Sequence, residues 1–106
     1  MKQGDIVMLA FPYSDLSEKK WRPAVVLSND EYNRYTNVLL AGIYGKKQPL
    51  SIQIVNRDLM QKQLEKTSYI SIQNLMSIEK TLIQHRIDAL TANKLKEVLS
   101  AARKCF

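Results

Sequence analysis

The chain is poor in the residues that many catalytic and metal sites need. It has one histidine and one cysteine among 106 residues. Metal sites built on several such ligands are therefore excluded. The lone Cys105 excludes an internal disulfide and fits a reducing compartment. Only three glycines are present, and neither a P-loop nor a dinucleotide fingerprint can be found. No apolar run is long enough to span a bilayer. The opening "MKQGDIVML" lacks a small-residue cleavage site, so no signal peptide is expected. These absences lead to the expectation of a cytoplasmic protein with no membrane association, no metal and no cofactor.

Acids are also in the minority. Sixteen Lys and Arg face ten Asp and Glu, giving a net charge of +6. Such an excess favours polyanions by steering and counterion release. Its distribution is more informative than its size. Lys19, Lys20 and Arg22 cluster in one predicted loop, and Lys46 and Lys47 in another. Arg103 and Lys104 suit the negative end of a predicted C-terminal helix dipole. The length suits one domain over residues 1–106, with one core.

The patterning is mainly β. "DIVMLAF", Asp5 to Phe11, reads as a strand between Gly4 and Pro12. "SDLSEKK" reads as a polar loop. Pro23 fixes its own backbone and pushes Arg22 toward an extended conformation. "AVVLS", Ala24 to Ser28, reads as a buried strand, and "NVLLAGIYG", Asn37 to Gly45, as a third. Gly42 inside that run suggests a bulge or a close backbone approach. "LSIQIV", Leu50 to Val55, and "SYISIQNL", Ser68 to Leu75, alternate as half-buried strands should. Arg57 to Lys66 reads as a short helix, and Thr81 to Leu90 as a final short strand. Thr91 is an N-cap, after which Leu95, Val98, Leu99 and Ala102 mark one face of an amphipathic helix. Short strands closed by one helix predict a small, strongly bent β-barrel.

Few residues stand out chemically. His85 is the tempting general acid or base, but it shares a predicted strand side with Ile83 and Ile87 and reads as a structural residue. Arg22 carries a planar, always-charged fork that suits phosphate. On composition alone it reads equally as a solvated loop charge or as an anion clamp. Trp21 and Tyr13 lie in loop-like stretches near it in sequence, and are the better candidates for stacking on bases or for an interface. Phe11, Met60 and Met76 read as core.

"GDIVMLAFPYSD" followed by "KKWRPAVVLSND" resembles the opening of the PemK/MazF toxins of bacterial toxin–antitoxin systems. "NVLLAGIYG", "SYISIQNLMSIEKTLI" and "ALTANKLKEVLSAAR" extend the likeness across the chain. The resemblance implies a mainly β fold with a C-terminal helix, an SH3-like β-barrel. It implies a homodimer and a metal-independent endoribonuclease that cuts single-stranded RNA. It also implies a cognate antitoxin whose acidic C-terminal segment blocks the RNA groove. In such enzymes a 2′-hydroxyl attacks the adjacent phosphate, leaving a cyclic phosphate and a free 5′-hydroxyl.

The arginine of the family's Arg-Pro pair carries over to Arg22. A Thr or Ser usually ends the third strand, and here Tyr44 stands there. An acidic residue used by some members corresponds to the neighbourhood of Gln73. "IDAL", Ile87 to Leu90, replaces a glycine-containing pattern before the last helix. The expected catalytic pair is thus Arg22 and Tyr44. The expected RNA contacts are Lys19, Lys20, Trp21, Tyr13, Lys46, Lys47 and Gln73. The changes at Tyr44 and Gln73 leave an alternative, a module that binds RNA or a peptide without cutting. Poisoning of a protein target such as DNA gyrase, as in a related toxin group, is disfavoured by the Arg-Pro block.

Overall fold

Three apolar runs, each too continuous for a half-solvated strand, build the centre of the molecule. The computed structural model describes residues 1–12 and 19–106, and side chains outside residues 11–20. Its strands are β1 (Asp5–Pro12), β2 (Lys19–Val26), β3 (Asn37–Tyr44), β4 (Ser51–Ile54), β5 (Ser68–Glu79) and β6 (Ile83–Ala89), followed by the helix α1 (Ala92–Arg103). They form one antiparallel sheet in the order β4-β5-β3-β2-β1-β6.

Side chains alternate along a strand, so a run without polar residues must be covered on both faces. Ile6, Val25, Ala41 and Ile43 point into one cluster, which Val98 of α1 closes. Val7, Leu9, Ala24, Val26, Val38 and Leu40 point into a second, flanked by Met76, Ile78 and Ile83. Thr91 caps α1, its hydroxyl accepting from Lys94 N at 3.3 Å. Among the described residues no helix is long and apolar enough to cross a membrane.

The sheet is open, with β4 and β6 as its edges. The two edges approach beyond their ends, where Leu59 bridges Leu90 and Met60 N donates to Ala89 O at 2.8 Å. β5 is bent. Its register against β3 runs to Ala41–Leu75 and resumes at Ile43–Ile70, so Gly42 alone faces residues 71–74. Such a bulge re-aims side chains and strengthens local twist.

Several sequence expectations are corrected. Lys19, Lys20, Trp21 and Arg22 belong to β2, not to a loop, because β1 supplies a full ladder from Ile6–Val25 to Pro12–Lys19. β2 ends at Val26 rather than Ser28, whose hydroxyl takes the Leu39 N–H at 3.0 Å. The helix expected over Arg57 to Lys66 is absent. Only Asn56–Asp58 makes a 3-10 turn, and Lys62 lies in the left-handed region at φ 55°. β5 runs on to Glu79 instead of stopping at Leu75. Met60 is 63% exposed, not core. His85 is exposed, because register shifts between β1 and β6 break the alternation with Ile83. The Phe11 side chain and all of Tyr13 lie outside the described residues.

Candidate functional site

Arg22 and Tyr44 line one pocket, on adjacent strands. β2 pairs with β3 as Val26–Leu40, Val25–Ala41 and Ala24–Gly42. Arg22 and Tyr44 each lie two residues beyond the last of these pairs, Ala24–Gly42. Both line a pocket of about 310 Å³, with Trp21, Pro23, Ile43, Gly45, Lys66 and Ser68. Arg22 is half-buried, Trp21 is 46% exposed and Tyr44 is half-buried. Pro23 carries no N–H, and β2 tolerates it within its pairing to Met8 of β1.

Tyr44 is fixed from below and from the side. Its ring folds back over Gly42, where a Cβ would stand 3.1 Å from Tyr44 Cε2 and 2.9 Å from Asn74 Nδ2. Asn74 Nδ2 in turn donates to the Tyr44 hydroxyl. Because the hydroxyl oxygen accepts that bond, its own hydrogen stays available to donate elsewhere. The glycine foreseen as a close approach is therefore what admits the tyrosine. Asn74 sits in the β5 bulge, one residue past the expected Gln73, which is exposed.

Lys66 is the residue that sequence reading missed. Its Nζ lies so close to Gly45 that an added Cβ would stand 2.7 Å away. The segment carrying it is tied down by the buried Asp88, whose carboxylate accepts from Gln61 N at 2.9 Å and Gln63 N at 3.0 Å. Asn56 Oδ1 accepts from Leu64 N at 2.8 Å, and the Lys66 carbonyl accepts from Ser68 Oγ at 3.2 Å. The sequence departure at "IDAL" thus has a local use: Asp88 holds the approach to Lys66. Its only sequence signal was a basic residue just before the strand "SYISI".

The other expected contacts divide. Lys19 and Lys20 extend β2 beyond Trp21, while their side chains lie outside the description. Lys46 and Lys47 follow Gly45 and are exposed, without lining the pocket. Among the described lining residues Arg22 and Lys66 carry charge and none is acidic. Among the described residues no group of three or more His, Cys, Asp or Glu could hold a metal ion.

A strand-borne arginine, a fixed tyrosine and a lysine share one pocket on a small β-fold, a donor set whose chemistry suits an anion. The family model described as "PemK-like, MazF-like toxin of type II toxin-antitoxin system" matches residues 2–106. The chain belongs to that family, and the toxin expectation is borne out. It is 27% identical over 107 residues to an endoribonuclease MazF of Staphylococcus saprophyticus, covering 95% of this chain and 87% of that one. Its fold resembles the MazF of a MazE–MazF crystal structure from Deinococcus radiodurans, with a TM-score of 0.79 and 19% identity. That match covers 99% of this chain and 94% of the other. Mycobacterium tuberculosis toxin MazF-mt6 matches with a TM-score of 0.71 and 20% identity, over 92% and 90% of the two chains.

Proposed function

We propose that the chain is the toxin of a type II toxin–antitoxin system and a metal-independent endoribonuclease acting on single-stranded RNA in the cytoplasm. The observation that carries this is the meeting of Arg22 and Tyr44 in one basic pocket. RNA supplies its own nucleophile. The 2′-oxygen bonds to phosphorus as the bond from phosphorus to the 5′-oxygen breaks. The 2′-proton leaves to water and the 5′-oxygen takes one from water, so the products are a cyclic phosphate and a 5′-hydroxyl. Arg22 binds the phosphate oxygens through its planar fork, and Tyr44 donates its hydroxyl hydrogen to the same group. Trp21, exposed at the rim, stacks on a neighbouring base. The exposed Lys46, Lys47 and Gln73 are further candidate RNA contacts, and so are Lys19, Lys20 and Tyr13, whose side chains lie outside the described residues.

The open sheet, nearly joined at Leu59–Leu90, supports a reading as a small SH3-like barrel. The homodimer forms over a second groove of about 520 Å³ beside the end of α1, which Leu39, Leu75, Tyr32 and Phe106 line. All four are exposed, and a contiguous apolar surface of this kind marks an association site. An antitoxin with an acidic C-terminal segment complements the +6 charge and blocks the RNA groove. The test is incubation of the purified protein with long single-stranded RNA in EDTA. Fragments with 5′-hydroxyl ends are expected. Intact, bound RNA would instead favour the binding-only module.

A further inference from the structure

We propose that Lys66 is a catalytic residue, the second cation on the scissile phosphate. The proposal rests on the endoribonuclease reading and deepens it. The phosphodiester enters with one negative charge. When the 2′-oxygen has lost its proton and begun to bond, the phosphoryl group gathers a second. A site that offers one cation matches the ground state, and a site that offers two matches the transition state. Interactions that strengthen as charge develops raise the rate rather than the affinity.

Three structural features put Lys66 in that role. First, it joins the lining of the pocket from a different element, the segment before β5, while Arg22 stands on β2. Secondly, Lys66 is exposed but has space beside Gly45 and a held backbone behind it. Gly45 leaves the space that the ammonium occupies, and a Cβ there would lie 2.7 Å from Nζ and 2.9 Å from Cε. Asp88 and Asn56 hold the preceding backbone, so the stem of this flexible side chain starts from a fixed point. Thirdly, its charge meets no acid among the described lining residues. Among the described residues no ion pair engages Lys66.

Tyr44 makes a second cation more useful here. A tyrosine hydroxyl is a neutral donor, and the Asn74 bond and the Gly42 floor hold its oxygen in one place. It can direct one hydrogen at the phosphate but brings no charge. Lys66, in the same lining, does.

The test compares the native protein with Lys66→Met, Lys66→Arg and Arg22→Ala. Two quantities are read. One is the single-turnover rate on long single-stranded RNA in EDTA. The other is the affinity for 2′-O-methyl RNA of the same sequence, which binds and cannot be cut. Lys66→Met is expected to slow cutting by about 10²-fold, the scale of losing one transition-state donor. Its affinity for 2′-O-methyl RNA should fall far less, and Lys66→Arg should restore most of the rate. A rate unchanged by Lys66→Met, in a protein that Arg22→Ala inactivates, overturns the role of Lys66 and leaves the enzyme reading intact. Equal losses of rate and affinity overturn it too, because they mark a ground-state RNA contact. A native protein that binds RNA and never cuts it removes the enzyme reading, and the catalytic role with it.

Discussion

Asn74 donates a hydrogen bond to the Tyr44 hydroxyl, directly above the α-carbon side of Gly42 where no side chain stands. Three residues from two strands thereby fix one hydroxyl. Asn74→Ala should leave the fold intact at a cost of about 1 kcal/mol. The freed ring should then misplace its hydroxyl and slow cutting by up to about 10²-fold. Equal cutting rates for Asn74→Ala and the native protein would mean that this bond has no part in the reaction.

Tyr44→Phe separates the hydroxyl from the ring. The ring still packs over Gly42, so urea unfolding should shift by only about 1 kcal/mol. The cutting rate should fall at least as far as in Asn74→Ala. Parental activity in Tyr44→Phe would assign the tyrosine to packing alone.

Gly42→Ala probes the floor. The new Cβ would stand 2.9 Å from Asn74 Nδ2 and 3.1 Å from Tyr44 Cε2, in a buried position. Overpacking of this kind costs about 1–3 kcal/mol. Loss of activity should accompany the loss of stability, since the displaced groups are Tyr44 and Asn74. A fully stable and active Gly42→Ala variant is the contrary result.

Asp88→Asn tests the support of Lys66. The buried carboxylate accepts from Gln61 N, Gln63 N and Ala89 N, the last at 2.8 Å. An amide offers one oxygen and turns an N–H toward one of those donors. The cost should be about 1.5–3 kcal/mol, the range for hydrogen bonds to charged groups. Amide hydrogen exchange at Gln61 and Gln63 should quicken selectively, ahead of β3. Unchanged protection there would show that other contacts hold the segment.

The apolar groove beside α1 predicts the assembly. Leu39 and Leu75 are 39% and 37% exposed on its wall. Leu39→Glu with Leu75→Glu should convert a dimer to a monomer in light scattering, with the circular dichroism of the fold retained. A double variant that stays dimeric places the interface elsewhere.

The sequence made the central sheet and terminal helix legible because their signals are local. "AVV" and "NVLLAGIY" are apolar runs of strand length, and Thr91 precedes a clean i, i+3, i+4, i+7 stripe. Polar strands were harder. Lys19 to Arg22 carry no apolar pattern, and only their ladder with β1 makes them a strand. The segment after Asn56 has helical spacing in Leu59, Met60 and Leu64, but a distant carboxylate decides its backbone. That same error hid Lys66, which a helix would have carried away from the pocket. Gln73 was one residue from the partner that matters, because a bulge shifts which β5 side chain faces Tyr44. Arg22 stood out because Pro23 and the flanking motif mark it without reference to the fold, and it lines the candidate pocket.

In the proposed reaction this pocket cuts RNA through Arg22. The most direct measurement is the cleavage of long single-stranded RNA in EDTA by native protein and Arg22→Ala, with the new ends identified. Native protein should give 5′-hydroxyl ends, and Arg22→Ala should give none while retaining the native circular dichroism and dimer mass. Full cutting by folded Arg22→Ala would contradict the account.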